Sequence, residues 1–151
     1  MSAAGFYRAE TRHVAAFEAL QHEAFARNRA LLGVEPLPLL VDCEEVVAGK
    51  ETWLSGHETR LDGAIALEVE DGALLIWSVA VAGHAQGTGL GNRLLDFAER
   101  RAREQGLQAL TLYTGEPLKA NIAWYGRHGF DITGIETLPD RRIVHMKKTI
   151  I

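Results

Sequence analysis

The chain has 151 residues and a mass of 16.6 kDa, the size of one domain of roughly 150 residues, so a single domain over residues 1–151 is expected. Hydrophobic residues at 47% and charged residues at 24% lie near globular averages and exclude a disordered, collagenous or coiled-coil chain. With 16 Lys and Arg against 20 Asp and Glu, the formal net charge of −4 argues against a chain-wide grip on nucleic acid or an anionic membrane; the lone Cys43 excludes an internal disulfide and points to the reducing cytoplasm.

The opening MSAAGFYRAETRH carries charge by its eighth residue and lacks the apolar segment of a secretory signal, so no export is expected. Between His13 and Leu32, Val14, Phe17, Leu20, Ala24, Phe25, Leu31 and Leu32 recur at three- and four-residue steps, which predicts a first helix. Pro36 and Pro38 make Gly33 to Leu40 a connector, after which Asp42 offers an N-cap to a short helix, CEEVVAG, closed by Gly49. The pattern then changes to short apolar runs, Thr52–Leu54, Gly63–Val69 and Ala73–Val81, separated by His57–Asp62 and by Asp71–Gly72. An antiparallel meander follows, since Asp-Gly suits the positive φ angles of a tight hairpin. The longest near-apolar run, Ala73 to Ala85, is broken by Ser78, Gly83 and His84 and falls short of the roughly 20 residues that span a bilayer, so no membrane span is expected.

A glycine-rich stretch then becomes a helix with Leu94, Leu95, Ala98 and Ala102 on one face, ended by Gly106. Ala109–Tyr113 is β-compatible, and strand, helix, strand in that order predicts a parallel crossover. One more helix over Leu118–His128 stops at Gly129, and Phe130–Ile135 and Ile143–Lys148 are final strands around a turn at Pro139–Arg142.

The chemistry concentrates where the strand ending Val79-Ala80-Val81 runs through a loop with glycine at 83, 87, 89 and 91 into a helix. Glycines let the backbone approach a ligand, and a helix start adds unpaired N–H groups and a positive dipole end, which together make an anion cradle. The dinucleotide pattern G-x-G-x-x-G fails, because the sixth position is Asn92 from Gly87 and Leu94 from Gly89, and the P-loop fails because Gly-Lys-Ser/Thr is absent. The six histidines form no i,i+4 pair and have no cysteine cluster nearby, so no metal is expected.

What remains, Gln86-x-x-Gly89-x-Gly91, resembles the cofactor loop of the GNAT family of acetyl-coenzyme A-dependent N-acetyltransferases. Val79-Ala80-Val81 before it and Tyr125-Gly-Arg-His-Gly129-Phe130 after it extend the resemblance over roughly residues 62 to 148. The resemblance implies an α+β fold, a central mixed, mostly antiparallel sheet of six or seven strands flanked by helices. It also implies transfer of acetyl from acetyl-coenzyme A to a small-molecule or peptide primary amine, by direct attack in a ternary complex and commonly in a homodimer. By the same resemblance, the N–H groups of Gln86, Gly87, Thr88, Gly89, Leu90 and Gly91, with Asn92 behind them, hold the pyrophosphate. Val79 and Val81 pair with the pantetheine arm, the Val81 N–H faces the oxyanion, and Tyr125 sits by the coenzyme sulfur as the catalytic acid.

The sequence departs from the family twice. Leu118 stands where an asparagine commonly contacts the coenzyme, so Asn121, one turn before Tyr125, is the substitute. Trp77 and Ser78 stand where an acidic base is often found, which leaves Glu68 or Glu70, or a water held by Glu68, Ser78 or a carbonyl, to take the amine proton. A coenzyme A-binding module without catalysis is the alternative. The carboxylates Glu44, Glu45, Glu51, Glu68 and Glu70 suit a cationic acceptor or ordinary solvated surface equally.

Overall fold

The computed structural model describes residues 5–150. Helix α1 spans Val14–Ala26 and buries Phe17, Leu20, Gln21 and Ala24, a three- and four-residue stripe. The single helix predicted from His13 to Leu32 is in fact two. The chain turns at Arg27–Asn28 and resumes as α2, Arg29–Leu32, ended by Gly33 at φ +74°. The buried stripe stops at Ala24, and Leu31, 63% exposed, has no core to face, so nothing holds the helix straight. Helix α3, Cys43–Gly49, begins as expected, with Asp42 Oδ1 accepting from the Glu44 N–H at 2.9 Å.

Seven strands form one sheet in the order β1-β2-β3-β4-β5-β7-β6. They are β1 (Tyr7–Arg8), β2 (Glu51–His57), β3 (Arg60–Glu70), β4 (Ala73–Val81), β5 (Ala109–Gly115), β6 (Asp131–Thr137) and β7 (Arg142–Thr149). Strand β1 has only two residues, too short to carry a period-2 signal, and exists because Tyr7 and Arg8 pair with Leu54 and Trp53. The predicted turn His57–Asp62 shrinks to Glu58–Thr59, since a bulge after Ser55 lets pairing continue through Gly56–Leu61 and His57–Arg60. At the β3–β4 hairpin Asp71 and Gly72 both adopt positive φ, +52° and +78°, the conformation their dipeptide favours.

Two helices pack on one face of the sheet: α4 (Leu90–Glu104), which crosses from β4 to β5, and α5 (Lys119–Arg127). Leu90, Leu94, Leu95, Phe97, Ala98 and Ala102 of α4 meet Ile65, Leu67, Leu74 and Leu110 there. Helices α1 and α3 cover the opposite face through Phe17, Leu20 and Val46 against Leu54, Ala64, Ala66 and Ala80. Among the described residues no helix is long and apolar enough to cross a membrane.

The feature that positions the site is the junction between β4 and β5. These parallel neighbours pair only at Leu74–Leu110 and Leu75–Thr111, and then separate. Beyond Leu75, β4 pairs with β3 alone.

Candidate active site

The hydrogen bond from the Ala82 N–H to Asp62 O, 2.8 Å, fixes which backbone groups of β4 face the opening. Alternate residues of an antiparallel ladder turn their N–H and C=O toward the partner strand. Ala82 and Ala80 therefore face β3, while Val81 and Val79 turn their groups to the side that β5 has left. Gln86 Nε2 bears this out by donating to Val81 O across that edge at 3.2 Å. A bulge opposite Ala66–Leu67 leaves Trp77 unpaired and puts Trp77 and Ser78 on the same face, toward α1.

Below the open edge the loop climbs into α4. Glu23 of α1 accepts from the Gly83 N–H, and His84 Nε2 meets Asp62 Oδ1 at 2.7 Å, so the start of the loop is braced. Gly87 and Gly89 adopt φ +77° and +83°, and Gly89 is the N-cap of α4. No protein group among the described residues accepts from the N–H groups of Gly87, Thr88, Gly89, Leu90, Gly91 and Asn92. That is a row of free donors at the positive end of a 15-residue helix. Arg93 Nη1 caps Thr88 O at 3.1 Å, adding a cation beside the row.

Helix α5 closes the other side. Trp124 Nε1 donates to Asn92 Oδ1 at 3.0 Å, and His128 Nε2 donates to the same oxygen at 2.9 Å, which requires the Nε2-protonated tautomer. Gly91 allows this approach, since a Cβ there would stand 3.1 Å from the Trp124 ring. Next to Trp124, the Tyr125 ring lies 5.8 Å from Phe130, and burial pushes its phenol well above the ordinary value of 10.0.

Together these walls enclose a cleft of about 840 Å³. Val79, Val81, Gln86, Gly87, Gly89, Leu90, Gly91, Asn92, Asn121 and Tyr125 all line it. Thr88, Glu68 and Glu70 do not: Thr88 turns its hydroxyl to Ala85 O at 2.6 Å, and Glu68 gives its carboxylate to Lys50 Nζ at 3.0 Å. The lining also holds residues that sequence reasoning passed over, among them Arg27, Tyr113 and Arg141. Behind the wall, Gln21 is fully buried and donates to Ser78 Oγ at 3.4 Å, with its Oε1 lacking a partner. A glutamine on the apolar stripe of α1 was the available signal. Among the described residues no group of His, Cys, Asp and Glu is placed to hold a metal ion.

The family model described as acetyltransferase (GNAT) family matches residues 13–130. A protein of Azospirillum brasilense named IAA acetyltransferase is 41% identical over 68 residues, 45% of this chain and 44% of that protein, so the match spans less than half the length of that relative. Among solved structures, the IAA acetyltransferase from Bacillus cereus has 21% identity and a TM-score of 0.71 over 96% of this chain and 98% of that one. The PaiA N-acetyltransferase from Thermoplasma acidophilum, solved in complex with coenzyme A, has 14% identity and a TM-score of 0.74 over 95% and 97%. At these identities the two structures establish the shared fold. With the family match running from α1 through the opened sheet edge and the donor loop to Phe130, the chain belongs to the acetyltransferase (GNAT) family.

Proposed function

We propose that this protein is an N-acetyltransferase, in one domain over residues 1–151, that passes acetyl from acetyl-coenzyme A to a primary amine by direct attack in a ternary complex. The observation that carries this reading is the run of acceptor-free N–H groups from Gly87 to Asn92 beside the unpaired edge of β4. A pyrophosphate needs convergent donors, and an amide-bearing arm needs a free strand edge; the two lie side by side. The acetyltransferase name of the Azospirillum brasilense relative and the coenzyme A held by the Thermoplasma acidophilum structure agree with it.

Bound acetyl-coenzyme A supplies an acetyl thioester: the amine nitrogen forms the new C–N bond, the C–S bond breaks, and the departing thiolate takes a proton. The chain's residues then have separate tasks. The N–H groups of Gly87 to Asn92 hold the phosphates, and Gln86, bonded to Val81 O, ties the loop to the strand end. The outward N–H groups of Val79 and Val81 are the donors for the thioester oxygen as it gains charge. Tyr125, kept protonated by burial, is the proton donor toward sulfur. Ser78, on the cleft wall and held by Gln21, positions the water that relays the amine proton out to bulk solvent; Glu68, engaged by Lys50 outside the lining, is left out of this step.

Cys43 is buried and its thiol is pushed up to about 11 by burial and by Glu18 and Asp42, which disfavours an acyl-cysteine route. A cytoplasmic setting and a homodimer complete the proposal. The dimer is supported by the edge strand β6, exposed along its length with Ile132 and Ile135 outward.

Thermal unfolding with and without acetyl-coenzyme A tests the reading, with thiol release against a panel of amines in the same samples. Ligand at 100 times its Kd stabilises by about 2.7 kcal/mol, and an unchanged midpoint would sink the proposal. A raised midpoint without thiol release would favour a coenzyme A-binding module that lacks catalysis, the reading to which Trp77 in place of an acid lends support.

A further inference from the structure

Away from the glycine loop the cleft is roofed by α2, the connector after it and the β6–β7 hairpin. Leu32, Pro36, Leu40, Val41 and Ile143 give this part an apolar wall. Leu32 packs where Gly115 lacks a side chain, which seats α2 on the end of β5. Among the described residues that line the cleft there is no Asp or Glu, and the charged ones are Arg27 and Arg141. None of the carboxylates that would suit a cationic acceptor reaches the lining: Glu51 binds Arg101, Glu68 binds Lys50, and Glu44, Glu45 and Glu70 lie elsewhere. A polyamine entering here would lose its hydration to guanidinium groups of like charge and gain no counter-ion.

Arg141 has the opposite need. Its side chain is 7% exposed, on a wall otherwise apolar. A guanidinium has five N–H donors. Nε and Nη2 donate to the Asp140 carboxylate at 3.1 and 2.9 Å, and Nη1 donates to Glu35 O at 2.7 Å. One N–H on each terminal nitrogen remains without a protein acceptor. A free N–H on each terminal nitrogen of a buried guanidinium offers a carboxylate donors and opposite charge. Asp140 lies on the outer side, 56% exposed, and water screens its competing charge. Arg27 has no ion pair or hydrogen bond among the described residues and lies one turn beyond Glu23, which braces the glycine loop; Arg141, on the apolar roof, carries the argument.

We propose that the acceptor is an amine that also bears a carboxylate on an apolar body, an apolar or aromatic amino acid, with its carboxylate on the free donors of Arg141 and its side chain against the roof. This rests on the acetyltransferase reading and narrows it to one substrate class.

The test compares phenylalanine with phenethylamine, the same body without the carboxylate, and with spermidine, each against saturating acetyl-coenzyme A by thiol release. Phenylalanine should have a kcat/KM about tenfold or more above phenethylamine. Arg141→Gln should raise the KM for phenylalanine about tenfold more than it raises that for phenethylamine. Since Arg141 also braces the connector through Glu35 O, Asp140→Asn serves as a second variant: it removes the competing carboxylate at an exposed site and should lower the KM for phenylalanine. Equal or better use of phenethylamine or spermidine overturns the proposal. So does the failure of calorimetry to detect phenylalanine binding to the coenzyme A-saturated protein. If acetyl-coenzyme A leaves the thermal midpoint unmoved, the acetyltransferase reading itself has failed; if the midpoint rises and the preference is missing, only the substrate class has.

Discussion

Tyr125 shows what burial does to one side chain. Enclosed by Trp124 and Phe130, its phenol resists ionisation because a phenolate would lose its hydration there. The folded-state pKa is raised, so the proton stays on at every pH below the ordinary Tyr value of about 10. A pH profile of kcat should therefore show no alkaline decline below about pH 10, and a decline centred near neutrality would remove Tyr125 from the donor role. Tyr125→Phe should lower kcat by about 100-fold or more while the Kd for acetyl-coenzyme A changes less than twofold, read by single-turnover kinetics and calorimetry.

Gln21 carries a different consequence. Its partnerless Oε1 in the core costs about 1–3 kcal/mol, so Gln21→Leu should hold or raise the unfolding midpoint and lower kcat through the freed Ser78. A clear fall in the midpoint would contradict this account. The place of Tyr125 on the cleft wall was legible because its spacing to Gly129 and Phe130 is local. Arg141 was not, since a Pro-Asp-Arg-Arg turn reads as solvated charge, and what buries it is a carbonyl 106 residues away.

Between elements, the decisive contact is that of α4 with α5. Asn92 and Gly91, on the first turn of α4, receive Trp124, so the helix that offers the N–H donors also sets the position of Tyr125. Gly91→Ala tests this with a sign. On helix propensity alone alanine is favoured by up to about 1 kcal/mol. Its Cβ, however, would meet the Trp124 ring at 3.1 Å and push α5 outward. Steady-state kinetics should give a higher KM for acetyl-coenzyme A and a lower kcat; unchanged constants would mean that α5 is not held from this side.

At this scale the sequence was a good guide to helices with long stripes, such as α4, and to the Asp71–Gly72 hairpin. It was a poor guide where tertiary pairing decides. The break between α1 and α2 follows from what lies beneath them, and the β4 bulge at Trp77 follows from pairing with β3, neither of which a local pattern records.

Across the whole molecule, the sheet is buried on both faces at β3 and β4 and bare at its last edge. Strand β6 is exposed at each of its seven residues, and Ile132 and Ile135 are more than half exposed. A second copy is the covering that the proposed homodimer provides. Ile135→Lys should shift the protein to monomer in sedimentation velocity and leave the far-UV spectrum intact.

The parting of β4 from β5 gives the molecule a mechanical character. Two ladder pairs join a four-stranded plate to a three-stranded one, much as a spring joins the jaws of a clothes-peg. Opening at the far end breaks hardly any backbone pairing, so the packing of α4 across both plates is what holds the jaws together. A guest lying in the gap would then act as a shim as well as a reactant, stiffening the whole sheet while it stays and leaving it loose again once it has gone.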